Sequence, residues 1–245
     1  MESKLLIAEN GTILSWEVGD TSVLTPLTLG ASVAESRGGL PLCVPMFSTQ
    51  QRPVPGSNLP LHGILMYEDL GETKTLQSGQ RWEKKFSYAP SERFNWKWNA
   101  KLQVTLEQHT LTYSLTIKRD EDCESEEDMP YSLGFHPYFN TFGSDFSYKI
   151  AGHATHKQEV PQDITNSAFA PLIPSESATL TTRKGTLIII PEGYDQYCLW
   201  TDNINSYFCI EPIFQYREYG LRGTLLKKGQ SHETSVTLLF KTSEL

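Results

Sequence analysis

Between Arg81 and Lys118 apolar side chains return at every second position, and that spacing admits little other than a β-sheet. Phe94, Trp96 and Trp98 form one row, Leu102, Val104 and Leu106 a second, and Leu111, Tyr113, Leu115 and Ile117 a third. A strand sends successive side chains to opposite faces, so a period of two buries one face and wets the other. The last two rows are joined by Glu107-Gln108-His109-Thr110, a hairpin by spacing. The row at 94, 96 and 98 reads as sheet packing more readily than as a stacking platform for a ligand. Leu14, Trp16 and Val18 repeat the alternation after the Asn10-Gly11 turn signal, and Ser235 to Lys241 reads as a closing strand. No stretch carries a helical period of useful length, and neither a repeat nor a linker interrupts the chain. A chain of 245 residues is long enough for one large core. The expectation is an all-β protein, a large antiparallel β-sandwich forming a single domain over residues 1–245.

Charge and cysteine usage narrow the partners. A net charge of −8 argues against nucleic acid, whose phosphates require basic patches, and against an anionic membrane surface. A neutral or modestly charged small molecule is the easier partner. Cys43, Cys123, Cys198 and Cys209 are widely spaced with no Cys-x-x-Cys pair, which argues against a zinc or thioredoxin-like motif. Cys198 and Cys209 read as small core residues in apolar strands. The first apolar run, Leu5 to Ala8, is too short for a signal peptide, and no run approaches membrane-spanning length, so the expected location is cytoplasmic. Asp120 to Asp128 holds seven acidic residues in nine without the glycine and ligand spacing of a calcium loop, and reads as a solvated connection. Ser48 to Pro60, with three prolines and no periodicity, reads as a long loop of the kind that is often functional. No metal or cofactor is expected.

Four residues stand out chemically. His136, in Tyr131-Ser132-Leu133-Gly134-Phe135-His136-Pro137-Tyr138-Phe139, follows a buried-strand pattern and precedes a proline, which holds it extended. An imidazole boxed by Phe135, Tyr138 and Phe139 can pass a proton to a bound molecule, or cap the strand by bonding a carbonyl. Glu211 stands at the end of the apolar run Tyr207-Phe208-Cys209-Ile210, ahead of Pro212. Partial desolvation there would raise its pKa toward that of a general base. The alternative is a strand-end carboxylate bonded to backbone amides. His62, beside Gly63, can bond a ligand hydroxyl or serve the fold. Arg37, ahead of Gly38-Gly39, can offer its fork to an anion or form a surface ion pair.

Leu61-His62-Gly63, Gly134-Phe135-His136-Pro137-Tyr138-Phe139 and Cys209-Ile210-Glu211-Pro212, in that order and spacing, resemble the aldose 1-epimerase (galactose mutarotase) superfamily. Leu225 to Ser231 extends the resemblance over nearly the whole chain. The segment from Arg37 to Pro45 is similar to the hexose-6-phosphate epimerase branch, in which that arginine lies at the phosphate pocket. That branch continues His-Gly-Phe-Ala-Arg; here the run is His62-Gly63-Ile64-Leu65-Met66, so Met66 replaces a second phosphate-binding arginine. One charge-assisted hydrogen bond, about 1.5–3 kcal/mol, is lost with it, which points to an unphosphorylated aldose.

The resemblance implies a galactose mutarotase-like supersandwich with a sugar in an open cleft on one sheet. It also implies an isomerase that needs neither metal nor cofactor. Glu211 would take the anomeric proton while His136 protonates the ring oxygen; the ring opens, C1–C2 rotates, and closure yields the other anomer. His62 would bind a hydroxyl or polarise the ring oxygen, Arg37 would contact the substrate, and Asp195 would anchor further hydroxyls. The rival readings are a carbohydrate-binding protein without catalysis, a hexose-6-phosphate 1-epimerase, and a glycoside hydrolase or lyase using Asp195 with Glu211. The expected assembly is a monomer or dimer.

Overall fold

The computed structural model describes residues 2–47, 57–67, 70–143, 145–160, 164, 168–172, 176–216 and 223–243. Most of the loop expected from Ser48 to Pro60 lies outside them; only Ser57 to Pro60 is described. Strands dominate, and no α-helix occurs among the described residues.

The largest sheet has eight strands. In spatial order they are His153–His156, Ser147–Ile150, Ala178–Thr182, Gly185–Glu192, Ser231–Thr242, Thr110–Arg119, Trp98–Glu107 and Gln80–Tyr88. Every ladder in it is antiparallel. The expected hairpin forms, with Glu107 paired to Thr110. The closing strand starts earlier than its alternation indicates, because Ser231 to Thr234 continue the ladder against Lys118 to Leu115. Phe94, Trp96 and Trp98 are all buried, but of this expected row only Trp98 lies in a strand of the sheet, while Phe94 forms an isolated bridge with Ser57.

A six-stranded sheet lies against the first, in the order Ala168–Pro171, Gln196–Trp200, Tyr207–Phe214, Leu133–Phe135 and Leu42–Cys43, with Phe139–Asn140 also paired to Tyr207–Phe214. The two sheets meet through aromatic rings. Tyr113 packs on Phe135 at 4.5 Å, and Tyr148 on Phe208 at 5.1 Å. Each such buried side chain contributes about 1.5–3 kcal/mol, several times the worth of an exposed ion pair, so the interface holds the sandwich together. A four-stranded sheet, Thr21–Ser22, Ile13–Val18, Ser3–Ala8 and Thr73–Gln77, completes the fold. One core cluster includes side chains from Leu5 to Phe240.

The acidic stretch is the solvated connection expected, with Glu121, Asp122, Glu124, Glu126 and Glu127 exposed. It also does more than connect: Arg119, fully buried, donates to the Ser125 carbonyl at 2.6 Å and to Asp128 at 3.3 Å. A buried guanidinium needs acceptors, and this segment supplies them.

The strand Tyr207–Phe214 positions the candidate site. Phe208 and Ile210 join the main core, while Tyr207, Cys209, Glu211 and Ile213 face the other side. One edge pairs continuously with Gln196–Trp200, matching Cys198 to Glu211 and Trp200 to Cys209. The other edge pairs with Phe139–Asn140 up to Phe208 and with Leu133–Phe135 from Ile213. Between those points the ladder is open, because the chain leaves the sheet after Phe135 and returns at Phe139. His136 sits on that detour. Pro212, having no N–H to give, falls within the interrupted stretch, so the strand runs on to Phe214 rather than ending at Glu211.

Candidate active site

His136 and Glu211 meet across this gap. The closest approach, His136 Nδ1 to Glu211 Oε1, is 3.6 Å. That exceeds hydrogen-bonding distance. His136 is 6% exposed and Glu211 1% exposed. Neither carboxylate oxygen of Glu211, nor Nδ1 of His136, has a hydrogen-bond partner among the described residues. The alternative role for Glu211, a carboxylate satisfied by backbone amides, is therefore absent. A buried unpartnered carboxyl is costly, and most buried polar groups avoid it.

The ring of His136 is clamped. Tyr138 stacks on it at 4.7 Å with an interplanar angle of 6°, and Trp200 meets it edge-on at 5.5 Å. His62 packs against it at 5.3 Å, nearly perpendicular at 88°. Of the three aromatic residues expected to box His136, only Tyr138 stacks on it; Phe135 and Phe139 turn into the main core. His62 has a left-handed backbone, φ 63°, and leads into Gly63 at φ 82°. Gly63 forms a parallel bridge with Val44. A Cβ on Gly63 would lie 2.2 Å from the Val44 carbonyl oxygen, so glycine is needed here for close approach of another backbone. This contact holds the His62 segment over the cavity.

Among the described residues the cavity measures about 200 Å³ and is lined by Arg37, Phe47, His62, Met66, His136, Tyr138, Trp200 and Glu211, with Ala34, Ser36, Leu61 and Cys198. That is below the roughly 300–1,000 Å³ of pockets that enclose drug-sized ligands, and suits a single small molecule. Thus Arg37, His62, His136 and Glu211 come together from four distant segments. Asp195 does not join them: it is absent from the lining, and its carboxylate accepts the Gln215 backbone N–H at 3.1 Å. It sits at the start of the strand leading to Trp200, and that direction could not be read from the sequence. Trp200 carries no local signal either; it reaches the site only through its register opposite Cys209.

Burial governs the electrostatics. Desolvation pushes the Glu211 carboxyl well above its usual range. Desolvation, and then the neighbouring His62, push His136 well below its usual value. Burial lowers His62 to about 4. Burial thus favours the neutral forms of Glu211 and His136, the carboxylic acid and the imidazole. Arg37 is held by Asp202, whose Oδ2 accepts from Nε at 2.8 Å and forms an ion pair with Nη2 at 2.7 Å. Its guanidinium also lies over the Trp200 ring, 5.2 Å from the centroid. Among the described residues, His136, Cys209 and Glu211 form the one group of three potential metal-ligating side chains, with donor atoms within 4.8 Å of one another. Two of them are the proton-carrying pair.

Comparison with known proteins identifies the family. The family model for aldose 1-epimerase matches residues 11–203, most of the chain. The chain belongs to the aldose 1-epimerase family. Solved structures resemble this family member in fold. The Slr1438 protein from Synechocystis superposes with a TM-score of 0.71 at 19% identity, covering 98% of this chain and 92% of that one. A galactose mutarotase-like protein from Lactobacillus casei gives 0.69 at 14% identity, over 98% and 97% of the two chains. Galactose 1-epimerase from Lactobacillus acidophilus gives 0.68 at 13% identity, over 96% and 90%. No curated protein sequence matches the chain. The galactose mutarotase-like sandwich expected for the family is the fold observed. No helix among the described residues is long and apolar enough to cross a membrane.

Proposed function

We propose that this aldose 1-epimerase family member is an isomerase of a single β-sandwich domain that interconverts the α and β anomers of an unphosphorylated aldohexose. The observation that carries the reading is the buried Glu211 carboxyl, without a hydrogen-bond partner among the described residues, facing the buried and likewise unpartnered Nδ1 of His136 across 3.6 Å inside one cavity. The two reacting oxygens of a hemiacetal share one carbon. A group that takes a proton from one and a group that gives a proton to the other must lie within a few ångströms of each other.

In the proposed step Glu211 accepts the anomeric hydroxyl proton and His136 gives a proton to the ring oxygen, so the C1–O5 bond breaks and a carbonyl forms at C1. The pair passes from carboxylate and imidazolium to carboxylic acid and imidazole, holding one proton in each state. Desolvation favours the second state, the one that ring opening leaves behind. Rotation about C1–C2 presents the other carbonyl face, and the reverse transfers close the ring. Each proton transfer is typically worth 10²–10⁴-fold. His62, held neutral by burial, offers a hydroxyl contact beside His136, and Trp200 offers a face for the sugar ring.

A glycoside hydrolase fits less well. Glycoside hydrolysis commonly needs two carboxyl groups flanking the bond. Glu211 is the one carboxylate among the described lining residues, and Asp195 is not among them. A site that only binds sugar could also use a buried carboxylate as a hydroxyl acceptor, and the rate of anomer exchange separates it from an enzyme. Cys43, Cys123, Cys198 and Cys209 form no disulfide, which fits a reducing compartment such as the cytoplasm.

The test is anomer exchange of α-glucose, α-galactose and glucose 6-phosphate, followed by polarimetry or anomeric NMR. Wild type should accelerate at least one neutral sugar, and His136→Asn and Glu211→Gln should lose the acceleration. Sugar binding with no change in rate would leave a binding protein, and consumption of a glycoside would leave a hydrolase.

A further inference from the structure

Arg37 brings a cation to the cavity wall, but its donors are already engaged. A guanidinium has five N–H groups in a fixed fork. Nε donates to Asp202 Oδ2 at 2.8 Å, Nη2 lies 2.7 Å from the same oxygen in an ion pair, and Nη1 donates to the carbonyls of Ala34 at 2.6 Å and Ser36 at 2.9 Å. Three of the five N–H groups are accounted for by these bonds, and the Asp202 oxygen also lies against Nη2, which carries the other two. The bidentate fork that would grip a phosphate or carboxylate is turned onto a carboxylate of the protein itself.

The rest of the lining offers an anion little. Met66, Leu61, Phe47, Ala34 and Trp200 bring no charge, and Glu211 would repel it if ionised. A neutral hydroxyl faces none of this opposition. It can accept an Nη2 N–H while the sugar lies against Trp200, whose ring is also in contact with Arg37.

We propose that Asp202 is a specificity-determining residue that neutralises Arg37, so that the cavity accepts uncharged aldoses and rejects sugars bearing a phosphate or carboxylate. This rests on the cavity being a sugar site. Asp202 is far along the chain from Arg37 and is not part of the cavity lining, so it acts through the arginine rather than on the substrate. Removing its charge should free Nε and Nη2 together and turn Arg37 into a working anion contact.

The test measures binding rather than turnover, so it can be read even if the protein catalyses nothing. Inorganic phosphate, glucose and glucose 6-phosphate are titrated by calorimetry and by ³¹P line broadening into wild type, Asp202→Ala, Asp202→Asn and the double variant Arg37→Ala/Asp202→Ala. Wild type should show no saturable phosphate binding. Both single variants should gain it, with the ratio of glucose 6-phosphate to glucose affinity rising roughly ten- to hundredfold, as expected for charge-assisted hydrogen bonds. The double variant should lose the gain. Circular dichroism establishes folding, and the asparagine variant, nearly identical in shape, serves if alanine loosens the segment. Saturable phosphate binding by wild type that disappears in Arg37→Ala would overturn the proposal. So would folded Asp202 variants that gain no phosphate binding.

Discussion

Replacing Glu211 with glutamine removes one ionisable proton and keeps the shape of the side chain. In the wild type the carboxyl is buried without a partner, and its pKa is raised by that burial. The unfolded chain releases this proton near pH 4.5, while the folded protein retains it to a much higher pH. Between those values the folded state binds one more proton, so each rise in pH favours unfolding. Wild-type stability should therefore decline relative to Glu211→Gln at a slope approaching about 1.4 kcal/mol per pH unit. From pH 5.5 upward the gap should widen in favour of the glutamine variant until the folded carboxyl itself ionises, and each pH unit over which it widens is a few degrees in Tm for a chain of this size. His136, lowered by burial, contributes in the opposite direction below pH 6.5. Because it lies 3.6 Å from Glu211 its titration need not cancel between the two proteins, so the comparison is read above pH 6.5, where its contribution is small. Urea unfolding at points between pH 6.5 and 7.5 measures the gap. A gap that stays flat with pH would mean that Glu211 ionises as readily folded as unfolded. The description of a desolvated, unpaired carboxyl would then be wrong, and the one-proton pair with it.

His136→Asn should lower kcat for anomer exchange by about 10²–10⁴-fold while leaving the fold intact by circular dichroism. His62→Asn should weaken sugar binding by a factor that is constant between pH 5.5 and 8, because His62 titrates near 4 when folded. The same substitution should flatten part of the acid-side loss of stability between pH 6.5 and 4, where the unfolded chain gains a proton that folded His62 refuses. Gly63→Ala places a methyl 2.2 Å from the Val44 carbonyl oxygen at a left-handed φ; it should cost on the order of 1–3 kcal/mol in urea unfolding and displace His62. An alanine variant with wild-type stability and sugar affinity would show that the His62 segment is not held by that backbone contact.

Local periodicity was enough to read the sheets where one face is buried and the other wet. Leu102, Val104 and Leu106 opposite Leu115, Tyr113 and Leu111 is such a case, and the hairpin between them follows from the spacing alone. Periodicity misreads the strand Tyr207–Phe214, which is buried on both faces, so its end could not be seen and Pro212 looked like a terminus. The same blindness hid the sheet gap opposite Cys209 to Pro212, since an interrupted ladder leaves no mark in the order of residues. His136, Glu211, His62 and Arg37 were legible as candidates because each breaks its local pattern beside a proline or a glycine.

What the amino-acid order determined by itself was an all-β chain, acidic and free of paired cysteine motifs, carrying a histidine and a glutamate of the aldose 1-epimerase pattern. What only the tertiary structure decided was who stands beside whom. Asp195 was drawn away to a backbone amide, Trp200 was brought in by strand register, and Asp202 was placed on the guanidinium of Arg37. The reason is physical: burial and pairing between segments far apart in sequence depend on the register of a whole sheet. Desolvation, which sets the proton on His136 and Glu211, exists only once that sheet has closed.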